Sequence, residues 1–226
     1  MAYILHIETA TKRCSVALSQ GDQLICVQEI ALDGYSHAEK LHVFIQEVMQ
    51  HAQLSFAQLD AIAASKGPGS YTGLRIGNSA AKGLCFALDI PLIALDTLAI
   101  LAAQVQVENK EARLVPMLDA RRMEVYSAIF DTQGNCLRPV QAEILDENSY
   151  ATFQEPLYFV GDCQAKVQSV LQKPNFHFLP SVIYPSAKNM VAMGYAKFLK
   201  KDFEDVAYYE PFYLKDFVGT TPKKQL

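Results

Sequence analysis

The sequence predicts an α/β protein of mixed β-sheets with covering helices, arranged in two lobes. Three observations carry this. Strand-like and helix-like stretches follow one another as β-β-β-α-β-α-β-α through the first hundred residues. A polar break, Val107-Glu108-Asn109-Lys110-Glu111, separates them from a second block that again opens with strands. At 226 residues, with 50% hydrophobic and 19% charged side chains, the chain is long enough for two domains that each bury a core. The expected division is residues 1–106 and a smaller lobe at 107–226.

Tyr3 to Glu8 reads as a strand and Thr9 to Arg13 as a polar break. Cys14 to Ser19 and Gln23 to Ile30 are two further strands, joined by a tight turn at Gly21-Asp22 into an antiparallel meander. Ser36-His37-Ala38-Glu39 has the form of a capping box. Behind it Ala38, Leu41, Ile45, Val48 and Ala52 recur every three or four residues, which predicts an amphipathic helix from His37 to Ala52. Ser55 to Leu59 offers a short capped turn, and Ala61 to Ser65 a buried strand. A glycine-rich loop, Gly67 to Gly73, then leads into a helix from about Thr72 to Leu88. Pro91 to Leu95 is a strand, and Asp96 caps a helix expected to reach Gln106. In the second block, strands are expected at Arg113 to Asp119, Glu124 to Phe130, Leu137 to Leu145 and Leu157 to Val160. A late helix spans Ser186 to Lys200, and the tail from Thr220 to Leu226 reads as disordered.

Composition narrows the function. The net charge of −4 argues against a free-standing nucleic-acid binder held by phosphate neutralisation. No apolar run reaches the roughly 18 to 20 residues of a membrane helix. The N-terminus enters a strand without a basic region or cleavage signal, so a cytoplasmic protein is expected. Cys14, Cys26, Cys85, Cys136 and Cys163 are widely spaced and never C-x-x-C, which predicts buried, reduced thiols.

The loop Gly67-Pro68-Gly69-Ser70-Tyr71-Thr72-Gly73 sits between strand and helix, where free amides and the helix dipole favour an anion. Its spacing fits no familiar template. Gly73 is followed by Leu74-Arg75 and not Lys-Ser/Thr, the glycines give G-x-G-x-x-x-G, and Ser70 is flanked two residues away by Pro68 and Thr72. In the following helix Gly73, Gly77, Ala80, Ala81 and Gly83 are all small. A helical glycine costs roughly 0.5 to 1 kcal/mol relative to alanine, so three imply close backbone approach. The neighbour is either the chain's own sheet or a helix of a second chain, with Leu74, Ile76 and Leu84 adding apolar area.

His37 and His42 stand roughly 140° apart around their helix, unlike the i, i+4 pair of H-E-x-x-H, and no metal is expected there. His6 reads as a hydrogen-bonded core histidine. Arg75, Arg121 and Arg122 are either partners in surface ion pairs or anion contacts at a subunit boundary. Lys200-Lys201 and Lys223-Lys224 read as solvated charge.

Motifs at both ends and in the middle of the chain carry a family resemblance. Ile7-Glu8-Thr9-Ala10-Thr11 with Cys14 to Leu18 is similar to the opening of an actin-, Hsp70- and sugar-kinase-like lobe. Together with Gly67 to Gly77, Asp119-Ala120-Arg121-Arg122-Met123-Glu124-Val125-Tyr126 and Pro211 to Lys215, it resembles the TsaB-type family of bacterial tRNA threonylcarbamoyladenosine biosynthesis proteins. The resemblance implies two actin-like (ribonuclease H-like) lobes. It implies a non-catalytic dimerisation and activating subunit, supporting transfer of threonylcarbamoyl from threonylcarbamoyl-AMP to N6 of the adenosine 3′ of the anticodon. The implied partners are the catalytic paralogue TsaD, paired through the first two helices, the ATPase TsaE, and tRNA reached through the complex. A homodimer is expected when the chain is alone.

Carried onto this sequence, the expected interface is Leu41, Ile45, Gly73, Leu74, Gly77, Ala80, Ala81 and Leu84. Thr9, Thr11, Ser70 and Arg75 are candidate anion or nucleotide contacts. Related kinases use a glycine pair to hold adenosine, and this chain has no Gly-Gly; Glu8 stands where active relatives carry aspartate. Hence no catalytic residue, metal or intrinsic cofactor is expected, and ATP or ADP is expected only at the subunit boundary of the complex. Two alternatives remain beside this: a self-sufficient ATP-dependent phosphotransferase of the same fold, and a metal-dependent peptidase.

Overall fold

The computed structural model describes residues 1–31 and 37–214. Ser36 of the expected capping box and the tail 220–226 lie outside these. β1 (Tyr3–Glu8), β2 (Arg13–Gln20), β3 (Gln23–Ala31), β4 (Ala61–Gly67) and β5 (Leu92–Asp96) form one sheet in the order β3-β2-β1-β4-β5. The first three strands are antiparallel, and β1, β4 and β5 run parallel. β6 (Arg113–Asp119), β7 (Glu124–Asp131), β8 (Cys136–Ile144), β9 (Leu157–Gly161) and β10 (Phe176–Phe178) form a second sheet in the order β8-β7-β6-β9-β10. Its parallel and antiparallel pairings are the same. The second sheet therefore repeats the first, strand for strand, with β6 in the place of β1, as in actin-like lobes.

The covering helices are not repeated. α1 (His37–His51) and α2 (Tyr71–Leu88) have 15 and 18 residues and cover the first sheet. In the second unit the described chain between β8 and β9 contains turns and no helix, and α4 (Gln164–Gln168) has only five residues. α3 (Thr97–Ala102) joins the units, packing Leu98, Leu101 and Ala102 against Leu114, Leu118, Phe130 and Val160.

Period-two alternation gives β1 and β2 two apolar faces. Leu5, Ile7, Val16 and Leu18 pack against Leu41, Phe44, Ile45, Val48 and Met49 of α1 and Ala81 and Cys85 of α2. Ile4, Ala17, Ala61, Ala63 and Ile93 face the other way, towards Ile100, Ala187 and Met190. Burying each leucine contributes roughly 1.5 to 3 kcal/mol. Leu41, with no exposed surface, is the α1 position where truncation to alanine costs most, about 2 to 5 kcal/mol.

The C-terminal part returns to the first sheet. A 3-10 turn (Ala187–Met190) and α5 (Val191–Lys200) replace the single expected helix 186–200. Beyond α5 the chain runs as a strap over the sheet edge: the Glu204 amide donates to the Leu92 carbonyl at 2.9 Å, and the Phe212 amide to the Lys66 carbonyl at 2.7 Å. Lys82 of α2 donates to the Tyr209 carbonyl at 2.8 Å, and the Tyr209 ring is buried in the core beneath α1 and α2.

α3 ends at Ala102 and not Gln106, because Val105 and Val107 leave the helical path to pack into the same cluster as Leu101. Of the five thiols, Cys14, Cys85 and Cys163 are buried, Cys26 is half-buried and Cys136 is exposed at the start of β8. No helix among the described residues is long and apolar enough to cross a membrane.

Candidate functional site

The glycine loop is filled by its own chain. β4 ends at Gly67 with φ +115°, a conformation open to glycine, where a side chain would collide with the Phe212 carbonyl. Ser70 caps α2, its Oγ accepting from the Gly73 amide at 3.2 Å. The turn between β1 and β2 then enters the space that a phosphate would need. The Ser70 amide donates to the Ala10 carbonyl at 2.7 Å. A Cβ on Gly69 would strike that same carbonyl, one on Gly73 the Thr9 carbonyl, and one on Gly77 the Thr9 hydroxyl. The small side chains thus serve close approach to this chain's own β1–β2 turn.

That turn is held from below by Glu8, which is fully buried and accepts from the Ala10 amide at 2.6 Å. Burial pushes the Glu8 carboxyl up to about 7, against the opposing pull of the Ala10 amide, the Ser65 hydroxyl and the Arg13 charge. Cys14 beside it is pushed up to about 12, by burial and then by the Glu8 charge. His6, also fully buried, bonds Ser19 Oγ through Nε2 at 2.9 Å and is driven down to about 3 by burial, so it is a neutral core histidine.

The four anion candidates are not brought together. Thr9 and Thr11 are buried. The Thr11 carbonyl accepts from His37 Nε2 at 2.7 Å, and Ser70 is spent on the cap. Arg75 lies on the exposed side of α2, its guanidinium 4.2 Å from the centre of the Tyr71 ring. The residues present do not fit a nucleotide phosphate in this loop, because Thr9 and Ala10 occupy it. His37 is buried against the β1–β2 turn while His42 is exposed on the outer side of α1, so the pair shares no site.

The open feature lies on the other side of the two helices. α1 and α2 bound a groove of about 700 Å³, lined by Ala38, His42, Ile45 and Gln46 of α1, Arg75, Ile76, Ser79, Ala80, Gly83 and Leu84 of α2, and Phe56. Its walls are mostly apolar, with His42, Gln46, Arg75 and Ser79 supplying the polar groups. A Cβ on Gly83 would meet nothing within 4 Å. Phe86, 85% exposed and one turn further along α2, and Val43, 45% exposed on α1, add apolar surface on the same helices.

Of the expected interface residues, Ile45, Ala80 and Leu84 line this groove. Leu41, Gly73, Leu74, Gly77 and Ala81 are buried inside the monomer and are corrected to core positions. The reason is angular. Gly73, Gly77 and Ala81 follow the i, i+4 rule, but Gly77 and Gly83 are about 120° apart around the axis and do not share a face. Ser79, which sequence reasoning missed, joins Arg75, Ile76 and Gly83, which it named, in a three-to-four periodicity on the outer side of α2.

A family model described as TsaD, tRNA N6-adenosine threonylcarbamoyltransferase, matches residues 32–218. The chain is 27% identical to the tRNA threonylcarbamoyladenosine biosynthesis protein TsaB of Escherichia coli (strain K12), over 96% of each chain. It is 34% identical to the protein of the same name from Haemophilus influenzae, over 54% of this chain and about half (51%) of that one. Among solved structures it superposes on YeaZ from Pseudomonas aeruginosa with a TM-score of 0.81 and 26% identity, covering 95% of this chain and 100% of that one. A repeated five-stranded sheet, long helices on one copy only, and a family match across most of the chain lead to one assignment: the chain belongs to the tRNA N6-adenosine threonylcarbamoyltransferase family, among its TsaB-type members.

Proposed function

We propose that this chain acts in tRNA threonylcarbamoyladenosine biosynthesis as a non-catalytic docking and activating subunit, offering the α1–α2 groove to the catalytic paralogue TsaD. The observation that carries this is the groove itself, an open and mostly apolar surface on the longest helices of the fold, next to a glycine loop plugged by Thr9 and Ala10. The names of the relatives support the pathway, and the family match supports kinship with a TsaD-type partner. The plugged loop weighs against the self-sufficient phosphotransferase, because a phosphate has no room where a single methyl does not fit. ATP or ADP handled by the complex is accordingly assigned to the subunit boundary. TsaE and tRNA are reached through the assembled complex in the cytoplasm, and the same groove pairs two copies when TsaD is absent.

The test is co-elution with TsaD in size-exclusion chromatography, using Ser79→Arg and Gly83→Arg, which place long charged side chains in the groove without touching the core. The expected result is loss of co-elution with the melting temperature not lowered. Undiminished co-elution, or tRNA modification by the isolated chain, would overturn the proposal.

A further inference from the structure

The turn joining β6 to β7 occupies the same place in the second sheet as the Thr9–Ala10 turn in the first, and it is built from the same device. Asp119 ends β6 as Glu8 ends β1, and its Oδ1 accepts from the Arg121 amide at 2.9 Å, two residues on, as Glu8 does from Ala10. Here the turn does not plug anything. Arg121 and Arg122 are exposed, and both adopt left-handed backbone conformations, with φ +73° and +51°. Non-glycine residues enter that region at a cost, and asparagine or glycine would enter it more readily than arginine.

The main chain of the turn is tied down on every side. Lys166 of α4 donates to Asp119 and, at 2.8 Å each, to the carbonyls of Arg122 and Glu124. The Ala120 amide donates to the Glu124 carbonyl and the Glu124 amide to the Arg121 carbonyl, both at 3.1 Å, and Asp162 Oδ1 accepts from the Asp119 amide at 2.8 Å. The Leu145 amide holds the Met123 carbonyl at 3.1 Å. Asp119 and Asp162 are thus engaged by amides and by Lys166 close to the backbone. The two guanidinium groups make no ion pair with a described residue, and both residues are exposed. A turn whose main chain is tied down, with arginine at both left-handed positions, holds the backbone that carries the two guanidinium groups, so binding need not order the main chain.

From this geometry, and resting on the reading that the chain works in a tRNA-modifying complex, we propose that Arg121 and Arg122 contact backbone phosphates of the tRNA. Guanidinium groups donate bidentately to phosphate oxygens. The turn lies on the second lobe, whereas the groove assigned to protein docking belongs to α1 and α2 and is mostly apolar. An acidic surface of a protein partner is the competing ligand.

The test uses the double variant Arg121→Asn/Arg122→Gly, whose residues suit the left-handed turn and leave the fold at least as stable as the parent. Binding of tRNA to the complex with TsaD is measured across a salt series. The expected result is weaker binding, with the slope of log affinity against log salt shallower by about 2, roughly 1 for each guanidinium. Arg121→Lys/Arg122→Lys should recover part of the slope, since the charge is retained. An unchanged slope overturns the proposal, and so does loss of TsaD co-elution by the double variant, which would assign the turn to a protein partner. Should the parent chain itself fail to bind TsaD, the docking reading falls. The same titration on the lone chain then decides this one: a salt-dependent affinity that the variant loses supports it, and no binding overturns it.

Discussion

Thr9 Oγ1 donates a hydrogen bond to the Gly73 carbonyl at 2.8 Å, joining residues 64 positions apart and seating the β1–β2 turn beneath the first turns of α2. Gly73 and Gly77 of α2 make room for this contact. Gly77→Ala should therefore destabilise the isolated monomer by about 1 to 3 kcal/mol, the usual penalty for overpacking. Gly83→Ala, open on all sides, should stabilise it by about 0.5 to 1 kcal/mol through helix propensity. Urea unfolding of the two variants checks both signs; equal effects would show that the two glycines share an environment after all.

Glu8 and His6 are adjacent buried groups with opposite pH behaviour. Folded Glu8 holds its proton up to about pH 7, against 4.5 for its ordinary value, so its stabilising contribution is complete below pH 4.5 and is lost as the pH rises to about 7. His6 is held neutral, with its value lowered from 6.5 to about 3, so its contribution is present above pH 6.5 and is lost as the pH falls towards 3. Between pH 4.5 and 6.5 the two offset each other. In Glu8→Gln only the His6 slope remains, and its stability relative to the parent should rise by about 1.4 kcal/mol per pH unit from pH 4.5 to 7. Urea titrations at several pH values measure this, and a pH-independent difference would show that Glu8 titrates normally.

Lys82 clamps the C-terminal strap to α2 through the Tyr209 carbonyl. Lys82→Met should cost about 1 kcal/mol. Hydrogen exchange should quicken at the Glu204 and Phe212 amides, which the strap pairs with Leu92 and Lys66. Exchange confined to residues near 82 would mean that the strap is held by the Tyr209 ring alone.

Thiol labelling of the native protein should begin at Cys136, the exposed one, and reach Cys26 slowly. Cys14, Cys85 and Cys163, each pushed up to about 12 chiefly by burial, should react only on unfolding. Mass spectrometry of the labelled peptides gives the order.

Much of the first sheet was legible because its elements are long enough to show a pattern. Tyr3–Glu8 is a short apolar run buried on both faces, and Leu41, Ile45 and Val48 recur at helical spacing over 15 residues of α1. α4 and β10, with five and three residues, are too short to repeat their period and gave no signal. α3 was read too long because Val105 continues the apolar run, and only the tertiary cluster shows that it leaves the helix. In α2 the small residues were visible but were read as a single face. Gly73 and Gly77 answer to Thr9, 64 and 68 residues away, and nothing local distinguishes them from Gly83, which answers to nothing inside the monomer. The lining of the groove was therefore partly legible: Ile45, Ala80 and Leu84 belong to it, whereas Leu41, Gly73, Leu74, Gly77 and Ala81 are buried.

Among the described residues, the duplicated sheet has long helices on one copy only. A body with matching helix pairs on both halves could link neighbour to neighbour without end. On the docking proposed above, this chain offers one such socket, so two copies joined through it would close on themselves, and a copy joined to a larger relative would end the assembly on that side.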